Sequence, residues 1–230
     1  APAGSVTVVP LQGVRRAIAA SMTAALTVPH ILEFKEIDAT ALLGARDRLI
    51  AATGAKQSIT PLLIRACVVA LQQHPHMNAR FDVEAGQISQ YGSQHIGIAT
   101  ATDDGLIVPV LHDAQGIDVL ALPQRIDALT AAAKNRTAPP SDLQGGTFTV
   151  TNFGSFGTWL GTPIIRTPEV AIAGFGRVSD KVLAISGQPV VRPVLPIVVA
   201  VDHRVNDGAH LGAFVATIAH VLTYPAEMGA

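Results

Sequence analysis

Seven consecutive residues, Asp202-His203-Arg204-Val205-Asn206-Asp207-Gly208, gather an imidazole, a guanidinium, two carboxylates and an amide. A histidine side chain titrates near pH 6.5, so a fixed imidazole can take a proton from a thiol or hydroxyl near neutral pH and return it. Asp207, four residues on, is placed to orient a neighbouring arginine or histidine. Two other readings fit the same residues. One is a capped strand-to-helix connection with His203 in a structural hydrogen bond. The other is a metal site from His203, Asp207 and His210, the last two being i, i+3 on one helical face. No second-carboxylate or cysteine cluster accompanies that set, so no metal is expected. The single Cys67 sits in an apolar run, which suits core packing and a reducing compartment better than catalysis.

A side chain can be held firmly and still face a cleft when it lies between a buried strand and a helix. Residues 193–201 are almost wholly branched and apolar, which predicts a strand buried on both faces. After the seven, Leu211, Phe214, Val215, Ile218 and Leu222 give 208–222 a helical period. Near the start, Val14, Ile18, Met22 and Leu26 recur every four residues, predicting a helix that Pro29 stops. A β-rich run at 31–37 leads to Asp38, a candidate N-cap for a second helix that Gly54 ends. Thr60-Pro61 opens a third helix through Leu71.

Strands are expected to pair at 88–91 and 95–102, and Asp103-Asp104-Gly105 reads as a hairpin joining 95–102 to 106–111, both central. A helix over 118–134 and strands at 147–151, 170–175, 181–185 and 190–201 complete a mixed α/β chain. Gly154, Gly157 and Gly161, and Gly174 with Gly176, lack dinucleotide-loop or phosphate-loop spacing. They read as places of close backbone approach, to a neighbouring chain or a long ligand.

Composition narrows the classes. Lysine and arginine total 16 against 17 aspartate and glutamate, a formal net charge of −1, with no basic stripe for nucleic acid or a membrane surface. No uninterrupted run approaches the roughly 20 apolar residues of a membrane span. Hydrophobic residues make up 49% and charged ones 14%, an apolar excess that suggests further surface is buried, as in an obligate oligomer. The opening Ala1-Pro2-Ala3-Gly4-Ser5 reads as a linker end without a visible signal peptide. The expected organisation is a linker remnant and arm over 1–13 and one catalytic domain over 14–230.

Five ordered motifs resemble the catalytic domain of the dihydrolipoyl acyltransferases, the core subunits of 2-oxo-acid dehydrogenase complexes, within the chloramphenicol acetyltransferase-like superfamily. They are Val14-Arg15-Arg16-Ala17-Ile18-Ala19 with Val28-Pro29-His30; Asp104-Gly105-Leu106-Ile107-Val108-Pro109-Val110; Gly146-Thr147-Phe148-Thr149-Val150-Thr151-Asn152-Phe153-Gly154; Pro168-Glu169-Val170-Ala171-Ile172; and Asp202-His203-Arg204 through Asp207-Gly208.

The resemblance implies a chloramphenicol acetyltransferase-like fold, a central mixed β-sheet flanked by helices, in an obligate trimer. It implies acyl transfer between a dihydrolipoyl group and coenzyme A, with His203 as general base and Thr151 at the position of an oxyanion-stabilising serine. Asp207 would fix the local structure and pair with Arg15, with Arg204 as support; Asn152 and Gly176 would lie near coenzyme A. In the family, histidine and hydroxyl come from different subunits of the trimer. Coenzyme A is then a substrate, and the lipoyl group rides on a separate domain of a longer subunit. The implied partners are that lipoyl domain, a 2-oxo-acid dehydrogenase and dihydrolipoyl dehydrogenase.

The family's Leu-rich tail, used to build cubic or dodecahedral cores, is matched here only by Tyr224 and Met228, so a trimer is expected ahead of a larger shell. Branched-chain acyl groups are favoured, although Ala101 resembles acetyl-transferring members. Bacterial cytoplasm is favoured over a mitochondrial matrix. The competing readings are another thioester-dependent acyltransferase of this fold, a non-catalytic trimeric scaffold, and a metal hydrolase.

Overall fold

Along the chain the elements run α1 (Gly13–Ala25), β1 (His30–Asp38), α2 (Thr40–Thr53), α3 (Thr60–Gln73), β2 (Ala79–Asp82), β3 (Gln87–Gln90), β4 (Ile96–Ile98), β5 (Thr100–Thr102), β6 (Gly105–Ile107) and β7 (Val110–Leu111). Then follow α4 (Leu122–Lys134), β8 (Phe148–Asn152), β9 (Ala171–Phe175), β10 (Ser179–Ile185), β11 (Gln188–Asp202) and α5 (Gly208–Thr223). The computed structural model describes residues 3–54, 57–103 and 105–229. Ala1, Pro2, Asp104 and Ala230, to which the linker, hairpin and tail expectations extend, lie outside the described residues.

The local signals act where the sequence puts them, with small shifts. Gly54 ends α2 with φ 69°, a left-handed cap that glycine adopts without strain. Asp38 lies one residue too early to be the N-cap of α2; its Oδ1 instead accepts from the Thr40 amide at 2.8 Å. Helix α4 begins at Leu122 rather than at 118, because proline fits a first helical turn and not an interior one.

The apolar run becomes the axis of the main sheet, whose strand order is β1-β11-β9-β8-β4-β7, with β10 pairing to the outer half of β11. Strand β8 is parallel to β9 and to β4, and the remaining pairs are antiparallel. Residues 194–202 of β11 are buried without a break, as a strand covered on both faces requires. On one face α5 packs over β1 and β11 and against α2 and α3. Phe148, Phe175 and Phe214 are fully buried there with Leu62 and Ile197. Each such side chain contributes about 1.5–3 kcal/mol by leaving water. A smaller apolar cluster, Val28, Ile165, Ile172 and Ala200, lies apart from this core.

Two strand expectations are corrected. Residues 88–91 do not pair with 95–102; β3 pairs with β2, and β4 takes β7 and β8 as partners. The strands on either side of Asp104 do pair, as β5 and β6, but in a separate two-stranded sheet rather than as two central strands. Helix α1 has its predicted period, yet Ala25 is its only buried residue, and Val14 and Met22 are each 37% exposed.

Candidate active site

The turn after β11 holds His203 by its main chain and its ring. Its N–H donates to the Pro29 carbonyl at 2.9 Å, and Nδ1 lies 3.2 Å from the Asn206 carbonyl oxygen. A carbonyl can only accept, so Nδ1 carries the proton and Nε2 keeps its lone pair on an exposed imidazole. Asp207 is the N-cap of α5: Oδ1 accepts from the His210 N–H at 2.9 Å. That bond, together with the charge of His210, holds its carboxyl below the usual range against a smaller opposing effect of desolvation. Arg204 turns back onto the buried Asp202, Nη2 to Oδ2 2.6 Å and Nε to Oδ1 2.9 Å, and its guanidinium lies over Phe81 at 4.9 Å. It supports the turn from behind.

Strand β8 carries the second half. Thr147, Thr149 and Thr151 alternate onto one face. Thr147 Oγ1 donates to Asn78 Oδ1 and Thr149 Oγ1 to Glu169 Oε2, both at 2.6 Å. The hydroxyl of Thr151 has no hydrogen-bond partner among the described residues. It faces a pocket of about 450 Å³ walled by α1 through Val14, Ala17, Ile18 and Met22 and by Val108 and Ile164.

One chain does not bring the two halves together. Thr151 is level with Gly174, and Gly174 with Val198, whereas His203 lies five residues past Val198. At about 3.3 Å per residue and 4.8 Å per strand, the two side chains start roughly 19 Å apart.

Other expected site residues fall elsewhere. Arg15 is exposed beside Gly105, and the Arg15–Asp207 pair is not formed within the chain. Asn152 donates from Nδ2 to Thr60 Oγ1 at 3.0 Å. Gly176 gives its N–H to the Pro196 carbonyl and is buried, so its backbone has no donor left for coenzyme A. A Cβ on Gly176 would sit 1.7 Å from the Trp159 carbonyl oxygen: the close approach that the glycine permits comes from this chain's own loop. Gly176→Ala should therefore push the 153–159 loop outward, shifting the emission of Trp159, the single tryptophan, at a cost of about 1–3 kcal/mol in denaturant unfolding.

Two histidines at the end of α3, His74 and His76, are partly buried. Burial, and then the charge of His210, holds His74 and His76 below the ordinary imidazole range. His30 bridges two segments, its Nδ1 2.8 Å from the Val28 carbonyl and its Nε2 accepting from the Ile165 N–H at 2.9 Å. Among the described residues no three His, Cys, Asp or Glu side chains are grouped to hold a metal ion, so His203, Asp207 and His210 do not make the set that a metal hydrolase needs. No described helix is long and apolar enough to cross a membrane.

Sequence reasoning passed over Glu169, Arg166 and Thr149 as site residues. Glu169 stood in a motif, but nothing local showed that it is buried; burial pushes its carboxyl up to about 7 despite the Thr149 hydrogen bond and the charges of Arg166 and Arg80.

Compared with known proteins, residues 3–230 match the family model of the 2-oxoacid dehydrogenases acyltransferase catalytic domain. The chain is 40% identical over 222 residues to the lipoamide acyltransferase component of the branched-chain alpha-keto acid dehydrogenase complex of Pseudomonas putida, covering 95% of this chain and 52% of that protein. It thus spans about half the length of the curated relatives it matches. A crystal structure of Azotobacter vinelandii dihydrolipoamide acetyltransferase, concerned with a serine, a histidine and an asparagine in its catalytic mechanism, superposes with TM-score 0.93. It is 29% identical, with 100% of this chain and 96% of that one covered. Chloramphenicol acetyltransferase superposes with TM-score 0.57 at 19% identity, covering 94% of this chain and 99% of that one, which establishes the shared fold.

Proposed function

The chain belongs to the 2-oxoacid dehydrogenase acyltransferase family, as its catalytic domain, and from that membership we propose that it moves an acyl group between a dihydrolipoyl group and coenzyme A. The observation that carries the proposal is the state of His203: Nδ1 is satisfied by the Asn206 carbonyl, and Nε2 is left exposed as a base. Nε2 takes the proton of the attacking thiol while the sulfur adds to the thioester carbonyl carbon. The hydroxyl of Thr151 donates to the oxyanion so formed. Collapse breaks the bond to the other sulfur, which leaves as a thiol with the proton returned from Nε2. Every atom and charge is restored, and the histidine ends as it began.

The spacing of the serine, histidine and asparagine in the Azotobacter enzyme equals that of Thr151, His203 and Asp207 here, which supports these roles. The distance between Thr151 and His203 within one chain supports a composite site, His203 of one subunit facing Thr151 of the next, in a homotrimer. The exposed apolar face of α1, with Leu26 at 85% exposure, fits a surface covered by another subunit. A branched acyl group is the favoured cargo, following the Pseudomonas relatives. Asn152 is the remaining candidate for coenzyme A contact. A lipoyl domain and the partner dehydrogenases would supply and regenerate the dithiol, in bacterial cytoplasm.

The test is transfer to dihydrolipoamide from acetyl-, isobutyryl-, isovaleryl- and succinyl-coenzyme A. Fastest turnover is expected with a branched donor. A folded protein that turns over none of the four would overturn the acyltransferase reading in favour of the scaffold.

A further inference from the structure

Of the described side chains lining the Thr151 pocket, one is charged: Arg166. It does not reach freely into the space. Nη2 donates to the Leu143 carbonyl at 2.8 Å, and Nη1 lies 3.6 Å from Oε1 of Glu169. The Glu169 side chain is 2% exposed and is fixed on its other side by Thr149 Oγ1, two residues before Thr151 on the same face of β8. The backbone is bare where this pair packs: a Cβ on Gly146 would meet Glu169 Oε1 at 2.7 Å and Arg166 Nη1 at 3.3 Å.

The neighbouring charges are committed elsewhere. Arg80 spends Nε and Nη2 on the Gly146 carbonyl, at 3.0 and 2.7 Å. Asp202 and Arg204, which share a cavity with Glu169 on its far side, pair with each other. Glu169 is therefore the counter-charge of Arg166 among the described residues.

We infer that Glu169 is a specificity-determining residue acting through Arg166: by neutralising and restraining that guanidinium, it makes the pocket accept neutral acyl groups and reject acyl groups that end in a carboxylate. The inference rests on the acyl-transfer reading above. A carboxylate entering an apolar pocket loses its hydration and must find a cation in return. Against a compensated Arg166 it finds none; against an uncompensated one it gains an opposite charge at close range. The carboxyl of Glu169, pushed up to about 7 by burial, loses its charge as the pH falls through that value. Selectivity against a carboxylate-ended donor is then about half present near pH 7, complete about one pH unit higher, and lost below.

The experiment compares kcat/KM for succinyl- and isobutyryl-coenzyme A with dihydrolipoamide, in the chain as it stands and in Glu169→Gln. Glutamine keeps the size and an acceptor for Thr149 but carries no charge. The succinyl-to-isobutyryl ratio is expected to rise about tenfold or more in Glu169→Gln. It should fall back when Arg166→Met is added. In the unaltered chain the ratio should rise between pH 8 and pH 6, and in Glu169→Gln it should stay level.

An unchanged ratio in a folded variant that still uses isobutyryl-coenzyme A overturns the inference and leaves the acyl-transfer reading standing. If Glu169→Gln does not fold, a ratio in the unaltered chain that is flat from pH 6 to pH 8 overturns it equally. Absence of turnover with every donor in the unaltered chain removes the acyl-transfer reading instead.

Discussion

His203→Ala should lower acyl transfer by about 10²–10⁴-fold and leave the protein folded. The side chain is exposed, and its ring makes one hydrogen bond, to the Asn206 carbonyl, while the bond that fixes the turn to Pro29 comes from the main chain and survives the substitution. Loss of stability should stay near the ±0.5 kcal/mol usual for a surface change. Thiol transfer without a base must wait for the thiolate to form unaided, and the return of the proton to the leaving sulfur is lost with the same residue. Rates measured with the best donor, beside a thermal unfolding curve of the same sample, decide the matter. A folded variant with most of its activity would remove His203 from the mechanism. Thr151→Val keeps the branched shape and deletes only the hydroxyl, so its expected loss, about 10²–10³-fold, isolates the oxyanion contact.

Two crippled chains should repair each other. If His203 of one subunit works on the Thr151 side of the next, a ring of three closes by a heterologous contact in which each site draws on two chains. A trimer of His203→Ala chains has three damaged sites, and so has a trimer of Thr151→Val chains. Unfolded together in equal amounts and refolded, the mixture should place an intact histidine opposite an intact threonine at about a quarter of its sites. Activity should return to about a quarter of the unaltered level, far above either parent. If both groups belonged to one chain's site, no mixture would exceed its parents. The readout is the activity of the refolded mixture against each variant refolded alone, with sedimentation to show that trimers formed.

The apolar rhythm made the long elements legible. Period four in α1, the uncharged run that became β11, and the spacing of Leu211, Phe214, Val215 and Ile218 in α5 are properties of near neighbours in sequence, and in β11 and α5 burial converts them directly into strand and helix. The turn at His203 was legible for the same reason, being polar between two such elements. Strand partners were not. The pairing of Ile96 with Phe148 and Leu111 is set by what fits across the sheet, and closeness in sequence favours 88–91 with 95–102 where the structure pairs β3 with β2. Glu169 was opaque because its burial depends on Gly146 and Thr149 more than twenty positions away or on another strand. The free face of α1 is equally silent: apolar periodicity marks a face without showing what lies against it.

The Thr151 pocket has two walls of unequal freedom. On the sheet side a single methyl on Gly97 would meet Val108 at 2.8 Å and Thr149 Oγ1 at 2.9 Å, two residues of the lining, so that side is closed to gradual change. On the other side stand Val14, Ile18 and Met22, on a helix with a single buried residue. Helix surfaces tolerate exchange among apolar side chains far better than crowded backbone does. A lineage that adapts this protein to a longer or shorter cargo should therefore record its history in α1, while the glycine side stays as it is. A designer seeking a new cargo has the same place to begin.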